Sequence, residues 1–535
     1  MTTYPHTFAG MTISDQLARH ARMTPGTVAL TFDGTRRSYG ELDDRVSRLA
    51  QAMAERGVGE GDRVAVLAYN GLEIVETYLA CARAGAICVP LNFRLVADEI
   101  AYQLADSEAV FAVVDAPLAR TFADARSRAG TSPTCLVVGR TDDTDGDTEP
   151  YENTEPYEDA LRAASPDHVP SAVDLSAPAF IMYTSGTTGR PKGAVLTHYN
   201  VLIQTVSKAL HVGMRTDCRT WLIPTPMFHI AGLASMATSM FVGGHTVLAR
   251  SAAFDASATV DLLQRERVNC CFFVPAQWQA ICDLPDIGER DLSALRLVSW
   301  GAAPASTNLL RRMVELFGHA DITTTFGQTE TCAVTTILQS EDALRKIGSV
   351  GTPLLNTEVR VVDAKGADVS PGEVGEIVYR GPSVMTEYWN KPAETAAAFA
   401  GGWFHSGDLV RQDEDGYLYV VDRLKDMIIS GGENIYCVEV EDVLAAHPQV
   451  AEVAVVGVPD EKWGETPMAV VVPADPAEPP TDEDITRWCR ERLAPYKCPR
   501  RVSIVDALPR NPSGKVRKNE LRDGARSLNR GGHLV

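Results

Sequence analysis

Apolar positions in the first part of the chain alternate between two spacings. Leu42, Val46, Leu49 and Met53 fall on one face of a 3.6-residue repeat, which predicts a helix ending before Arg56-Gly57. Arg63 to Ala68 is short and apolar beyond its first residue, the pattern of a buried strand. Glu73 to Ala84 returns to helical spacing, and Ala86 to Pro90 to a strand. This rhythm predicts an α/β core with a mostly parallel sheet.

Two stretches interrupt it. Thr141 to Asp159 is acidic and carries a tandem repeat, TEPYEN at 148–153 and TEPYED at 154–159. It is expected to form a solvated surface loop without a core. Trp221 to Ala249 holds no Asp, Glu, Lys or Arg and is long enough to span a bilayer. Pro224, Pro226, His229, His245 and Gly243-Gly244 break it up, so buried strand, turn and helix pieces are expected instead.

Beyond Gly351 the pattern turns strand-rich, with strands expected at Glu358 to Val362 and Gly375 to Tyr379 in a β subdomain. After Lys425 a small α+β body follows. Its expected elements are a helix (Val438 to Ala446), two strands (Val450 to Val456, Met468 to Val472), a helix (Asp482 to Leu493) and a strand (Val502 to Val505). The expected division is a large N-terminal domain at 1–424, mixed α/β sheets plus the β subdomain, and a small C-terminal domain at 425–535.

A chain of 535 residues exceeds one compact domain, and 45% hydrophobic with 22% charged residues fits a globular protein. The net charge of −20 argues against non-specific nucleic-acid binding. Any nucleotide must be held by local positive charge. Eleven cysteines without a C-x-x-C spacing fit a reducing cytoplasm, and MTTYPHTFAGMTISD lacks the basic start and apolar core of a signal peptide.

The densest chemistry lies in Tyr183 to Gly193, YTSGTTGRPKG, after the apolar run Ala179 to Met182. Gly186 and Gly189 let the backbone turn its N–H groups toward an anion; Thr184, Ser185, Thr187 and Thr188 add hydroxyls, and Lys192 a full positive charge. The pattern predicts a loop built to grip a polyphosphate rather than a flexible linker. It lacks the Gly-Lys-Ser/Thr ending of the Walker loop, and Pro191 forbids that loop's helix start.

Further candidates follow in order. Pro226-Met227-Phe228-His229 ends in a histidine that is either functional or simply hydrogen-bonded in the structure. Gly301-Ala302-Ala303-Pro304 follows the run Leu295 to Val298, and its small residues let a flat base approach the backbone. Thr325-Phe326-Gly327-Gln328-Thr329-Glu330 supplies a stacking ring and a hard carboxylate oxygen. Asp408, in Gly402 to Asp408, and Arg423 supply a charged pair, with an ion pair between domains as the other reading of Arg423. Gly431-Gly432 permits close backbone approach. Lys515 ends the exposed string Asn511-Pro512-Ser513-Gly514, among other basic residues.

The phosphate-loop string closely resembles that of the adenylate-forming superfamily, which includes acyl-CoA synthetases, peptide-synthetase adenylation domains and firefly luciferase. The other motifs match the same superfamily in its order, up to Lys515. SEDALRK at 340–346 and DRLKDMIISGGEN at 422–434 resemble bacterial fatty-acyl and aryl-CoA ligases of the 4-coumarate type. The resemblance implies an ATP-dependent acid–thiol ligase using ATP, Mg²⁺ and coenzyme A. Phe228 and His229 would border the acyl pocket, and Gly301, Ala302 and Ala303 would form the adenine wall. Phe326, which replaces the usual tyrosine, would stack on adenine with Gly327 beside it; Thr329 would contact phosphate and Glu330 would hold the metal. Asp408 and Arg423 would hold the ribose, Gly431 and Gly432 would line the pantetheine channel, and Lys515 would be the catalytic lysine on a lobe swivelling at Lys425. Cys437 stands where these relatives usually carry proline.

The acid is left open by these motifs. If the Trp300 ring projects into the acyl channel, it excludes long chains; if it points into the core, it does not. Phe254-Asp255-Ala256-Ser257 mimics the amino-acid-binding string of peptide synthetases but falls too far after His229 to match it. A stand-alone enzyme loading a carrier protein, a luciferase-like oxygenase and a non-catalytic nucleotide-binding relative are the alternatives. Intact Lys192, Glu330, Asp408 and Lys515 argue against the last. Carrier protein and homo-oligomer stay open as partners.

Overall fold

The computed structural model describes residues 11–139, 153–167, 173–184, 190–214, 218–251, 254–301, 305–430, 433–460, 462–510 and 515–528. Ser185, Gly186, Thr187, Thr188, Gly189, Ala302, Ala303, Gly431 and Gly432 lie outside the described residues.

Two compact units are present, residues 1–359 with 379–404, and residues 360–378 with 405–535. In the first, Ser38 starts the helix Tyr39–Glu55 with a reciprocal cap. Its hydroxyl accepts the Glu41 amide at 3.3 Å, and the Glu41 carboxylate accepts the Ser38 amide at 2.8 Å. Leu42, Val46, Leu49 and Met53 are fully buried, as their spacing predicts.

The expected buried strands form the centre of an eight-stranded sheet. Arg63–Leu67 runs parallel between Ile87–Pro90 and Phe111–Asp115. Both faces are covered, which is why these strands read as apolar runs without alternation. The sheet continues through Pro178–Thr184 and Lys192–Thr197, which are antiparallel, to the two-residue strand Glu387–Tyr388. A nine-stranded sheet carries Leu297–Gly301 parallel to Cys270–Phe273 and Asp321–Phe326. The uncharged stretch resolves into the strand Thr220–Ile223, the helix Ile230–Phe241 and the strand His245–Leu248. Among the described residues no helix is long and apolar enough to cross a membrane.

The acidic repeat corrects one expectation. Its second copy is not a solvated loop: Thr154–Pro156 is the outer strand of the eight-stranded sheet, and Tyr157–Ala163 is a helix with Tyr157, Ala160 and Leu161 buried. Complementary charge explains the docking. Tyr157 donates to Glu76 at 2.8 Å, Arg45 bridges Glu76 and Glu158, and Arg56 pairs with Glu155. Low hydrophobicity hid a segment whose acids meet half-buried arginines and whose tyrosine meets the buried Glu76. Residues 148–152 of the first copy lie outside the described residues.

In the second unit the strands Val450–Asp460 and Gly464–Pro473 pair antiparallel, with Arg501–Ile504 parallel to the latter. Alternation splits their side chains. Val455 and Val471 join one apolar cluster with Val440 and Ile485; Val456 and Val470 join another with Leu508 and Leu521. The helices Cys437–Ala445 and Asp482–Arg490 thus cover one face, and Lys518–Leu528, which the apolar pattern does not announce, covers the other. A four-stranded sheet includes Phe404–Gln412 paired with Leu418–Arg423.

Candidate active site

The strands Pro178–Thr184 and Lys192–Thr197 hold the two ends of the phosphate-loop sequence. Thr184 pairs directly with Lys192, and Tyr183 with Gly193. Gly193 has to be glycine, because a Cβ there would lie 2.5 Å from the Ile181 side chain. Behind this hairpin Tyr183 donates to Asp106 at 2.9 Å, and Lys391 pairs with the same carboxylate. The mouth of the loop therefore stands on a braced base.

Glu330 arrives from the short turn Thr329–Thr331, after the strand Asp321–Phe326. Gly327 between them has φ +157°, and a Cβ there would meet the Ala333 carbonyl at 2.3 Å. The Glu330 side chain is buried, and its Oε1 accepts hydrogen bonds from Thr184 and from Tyr388, each at 3.0 Å. Among the described residues Oε2 has no hydrogen-bond partner, and no carboxylate pairs with Lys192, whose Nζ lies 5.1 Å from the Tyr388 ring centroid. Thr184, Lys192, Glu330 and Tyr388 are thus brought together. No sequence motif points to Tyr388, which lies on a two-residue strand with no periodicity to mark it.

The donor set fits a divalent cation held mostly from outside the protein. Among the described residues no cluster of three or more His, Cys, Asp or Glu could hold a metal. A single open carboxylate oxygen suits Mg²⁺ coordinated chiefly by water and polyphosphate.

The other candidates in this unit are placed as follows. Gly301 ends its strand opposite Thr325, where a Cβ would strike the Thr325 carbonyl at 2.2 Å. Phe326 and Thr329 are half-buried at the end of the neighbouring strand and in the turn after it. His229 caps the helix Ile230–Phe241, its Nδ1 accepting the Ala231 amide at 3.2 Å. Phe228 beside it stacks edge-on with Phe93 at 5.3 Å, and Phe93 packs on Tyr69 at 4.8 Å. Trp300 is 5% exposed and belongs to the core cluster with Phe273, Trp278 and Phe317. That packing is the alternative under which exclusion of long chains by Trp300 fails.

In the second unit Asp408 and Arg423 oppose each other across a hairpin, with Arg423 Nε 2.5 Å from Asp408 Oδ1. Lys425 is exposed just beyond it. The Cys437 amide donates to Asp422 at 2.5 Å and its thiol to the Asp426 carbonyl at 3.0 Å. A proline at this position could not make the first bond, which gives Cys437 a structural reason. Lys515 is exposed, next to the bridge that pairs Arg510 with Val516.

The family model described as AMP-binding enzyme matches residues 17–389, and that of the AMP-binding enzyme C-terminal domain matches 439–515. This chain belongs to the AMP-binding enzyme family. It is 42% identical to a feruloyl-CoA synthase from Amycolatopsis, covering 94% of this chain and 97% of the relative. It is 39% identical to an indoleacetate–CoA ligase from Aromatoleum aromaticum, covering 96% and 98%. Among solved structures, the O-succinylbenzoate coenzyme A synthetase from Bacillus subtilis in complex with ATP and magnesium ion superposes with a TM-score of 0.83 at 33% identity, covering 95% of this chain and 99% of that one.

Proposed function

We propose that this enzyme is an AMP-forming ligase that joins an aromatic carboxylic acid to coenzyme A. The observation that carries this reading is a buried carboxylate, Glu330, set near the Lys192 ammonium where the ends of the phosphate-loop sequence meet; among the described residues one Glu330 oxygen has no hydrogen-bond partner and no carboxylate pairs with Lys192. Relatives named as feruloyl-CoA synthase and indoleacetate–CoA ligase support the aromatic acid, as does the half-buried group Tyr69, Phe93 and Phe228 beside His229.

In the first half-reaction a carboxylate oxygen of the acid attacks the α-phosphorus of ATP. The bond to pyrophosphate breaks, and an acyl-adenylate forms. Lys192 and the loop donors offset charge on the phosphates, and Lys515 screens the two anions as they meet. Glu330 would hold Mg²⁺ through Oε2, and the bound cation would neutralise phosphate charge. Phe326 would face the adenine, and Asp408 would accept from the ribose hydroxyls. In the second half-reaction the coenzyme A thiol, losing its proton, attacks the adenylate carbonyl and AMP leaves. Lys515 and Gly431-Gly432 follow Lys425 on one lobe, so a swivel there would exchange them between half-reactions. The functional boundary is accordingly placed at Lys425, between residues 1–424 and 425–535. All eleven cysteines are free and buried, which suits a reducing cytoplasm.

The test is pyrophosphate release over a panel of aromatic and straight-chain acids, with and without coenzyme A. An aryl thioester and AMP are expected. Release without thioester, or preference for long straight chains, contradicts the reading.

A further inference from the structure

Tyr388 stands where three parts of this site meet. Its two-residue strand pairs antiparallel with Lys192–Thr197, Tyr388 opposite Ala194. Directly opposed residues share a face, and so do residues two apart on a strand. Lys192, two before Ala194, and Thr184, opposite Lys192, therefore stand on the same face as Tyr388. Glu330 reaches this face from its turn, and its backbone carbonyl also accepts the Met385 amide at 2.7 Å. The segment that carries Tyr388 is thus tied to Glu330 twice.

Both bonds to the carboxylate fall on Oε1. With one oxygen doubly occupied, the carboxylate cannot rotate freely, and Oε2 is the oxygen left open among the described residues. The ring meanwhile holds the Lys192 ammonium over its face. An ammonium released from the ring could pair with Glu330 directly, and that ion pair would quench the charge needed by a phosphate and the oxygen needed by a metal.

We propose that Tyr388 is a positioning residue that presents Glu330 Oε2 to a divalent cation–nucleotide complex and keeps Lys192 apart from Glu330. The proposal rests on the reading of Glu330 as the metal carboxylate.

The test uses the full chain with Mn²⁺ and ATP as probes. Mn²⁺ binding to the enzyme–ATP complex is read by electron paramagnetic resonance, and metal-free ATP binding by calorimetry. Tyr388→Phe keeps the ring, so Mn²⁺ should bind about tenfold more weakly, the effect of one lost hydrogen bond to a charged group, while metal-free ATP binding stays as in the wild type. Tyr388→Leu should weaken both, because Lys192 loses its platform. A purely structural role would lower the melting temperature and weaken both in Tyr388→Phe as well, and wild-type Mn²⁺ affinity in Tyr388→Phe overturns the proposal outright. Should Tyr388→Phe not fold, Thr184→Val removes the other donor to Oε1 and must weaken Mn²⁺ binding likewise; unchanged affinity there is equally fatal. Glu330→Gln separates the two ideas. If it binds Mn²⁺ normally, the metal reading fails, whatever Tyr388 does.

Discussion

Arg423 Nε lies 2.5 Å from Asp408 Oδ1, on directly opposed positions of one hairpin. Arg423 thereby orients a carboxylate that is almost fully buried. Asp408→Asn should raise the KM for ATP roughly tenfold to a hundredfold, the cost of a charge-assisted contact to a diol, with the KM for the acid unchanged. Steady-state kinetics with each substrate varied in turn makes the comparison. An equal rise in both constants would speak against a ribose contact.

Lys515 is exposed and belongs to the second compact unit. Lys515→Ala should abolish acid-dependent pyrophosphate release yet spare thioester formation from supplied acyl-adenylate. Measuring the two half-reactions separately decides it, since equal loss in both contradicts the role.

Trp300 packs among Phe273, Trp278 and Phe317. Trp300→Ala should therefore act on stability, by about 3–5 kcal/mol, and leave the ranking of acids unchanged. Thermal melting together with the acid panel tests this. A variant that melts normally and accepts longer chains would put the ring in the acyl channel after all.

Asp115 accepts the Tyr69 amide at 2.7 Å, yet burial, aided by Glu73, pushes its carboxyl up to about 6. An acid whose folded value is raised binds its proton more tightly in the fold. Its contribution to stability is fully present below the unfolded value near 3.8 and declines as pH rises through about 6. The decline amounts to about 3 kcal/mol at most. Asp115→Asn keeps an acceptor for the Tyr69 amide without the charge. It should flatten the stability profile across this window and raise the melting temperature at neutral pH, as scanning calorimetry at stepped pH would reveal.

Much of the molecule can be read from residue order where one physical rule acts alone. The helix Tyr39–Glu55 has an apolar face and a Ser38–Glu41 cap, and both are local signals. The hairpin that joins Thr184 to Lys192 is legible at its start, because the apolar run Ala179 to Met182 announces a buried strand leading into the glycine- and hydroxyl-rich string. Tyr388 and the second acidic repeat are not legible, for a shared reason. Their partners lie far along the chain: Glu330 and Lys192 for the first, Arg45, Arg56 and Glu76 for the second. Polar residues that find buried partners in tertiary structure look, in sequence, like residues bound for solvent. Cys437 is similar, since its value lies in a backbone amide that no side-chain pattern displays.

The strand Glu387–Tyr388 is also the last of its sheet and spans only two residues. An edge that short exposes too few unpaired amides and carbonyls to template a foreign strand. The segment that aims the Glu330 carboxylate therefore also guards this flank of the sheet against edge-to-edge polymerisation.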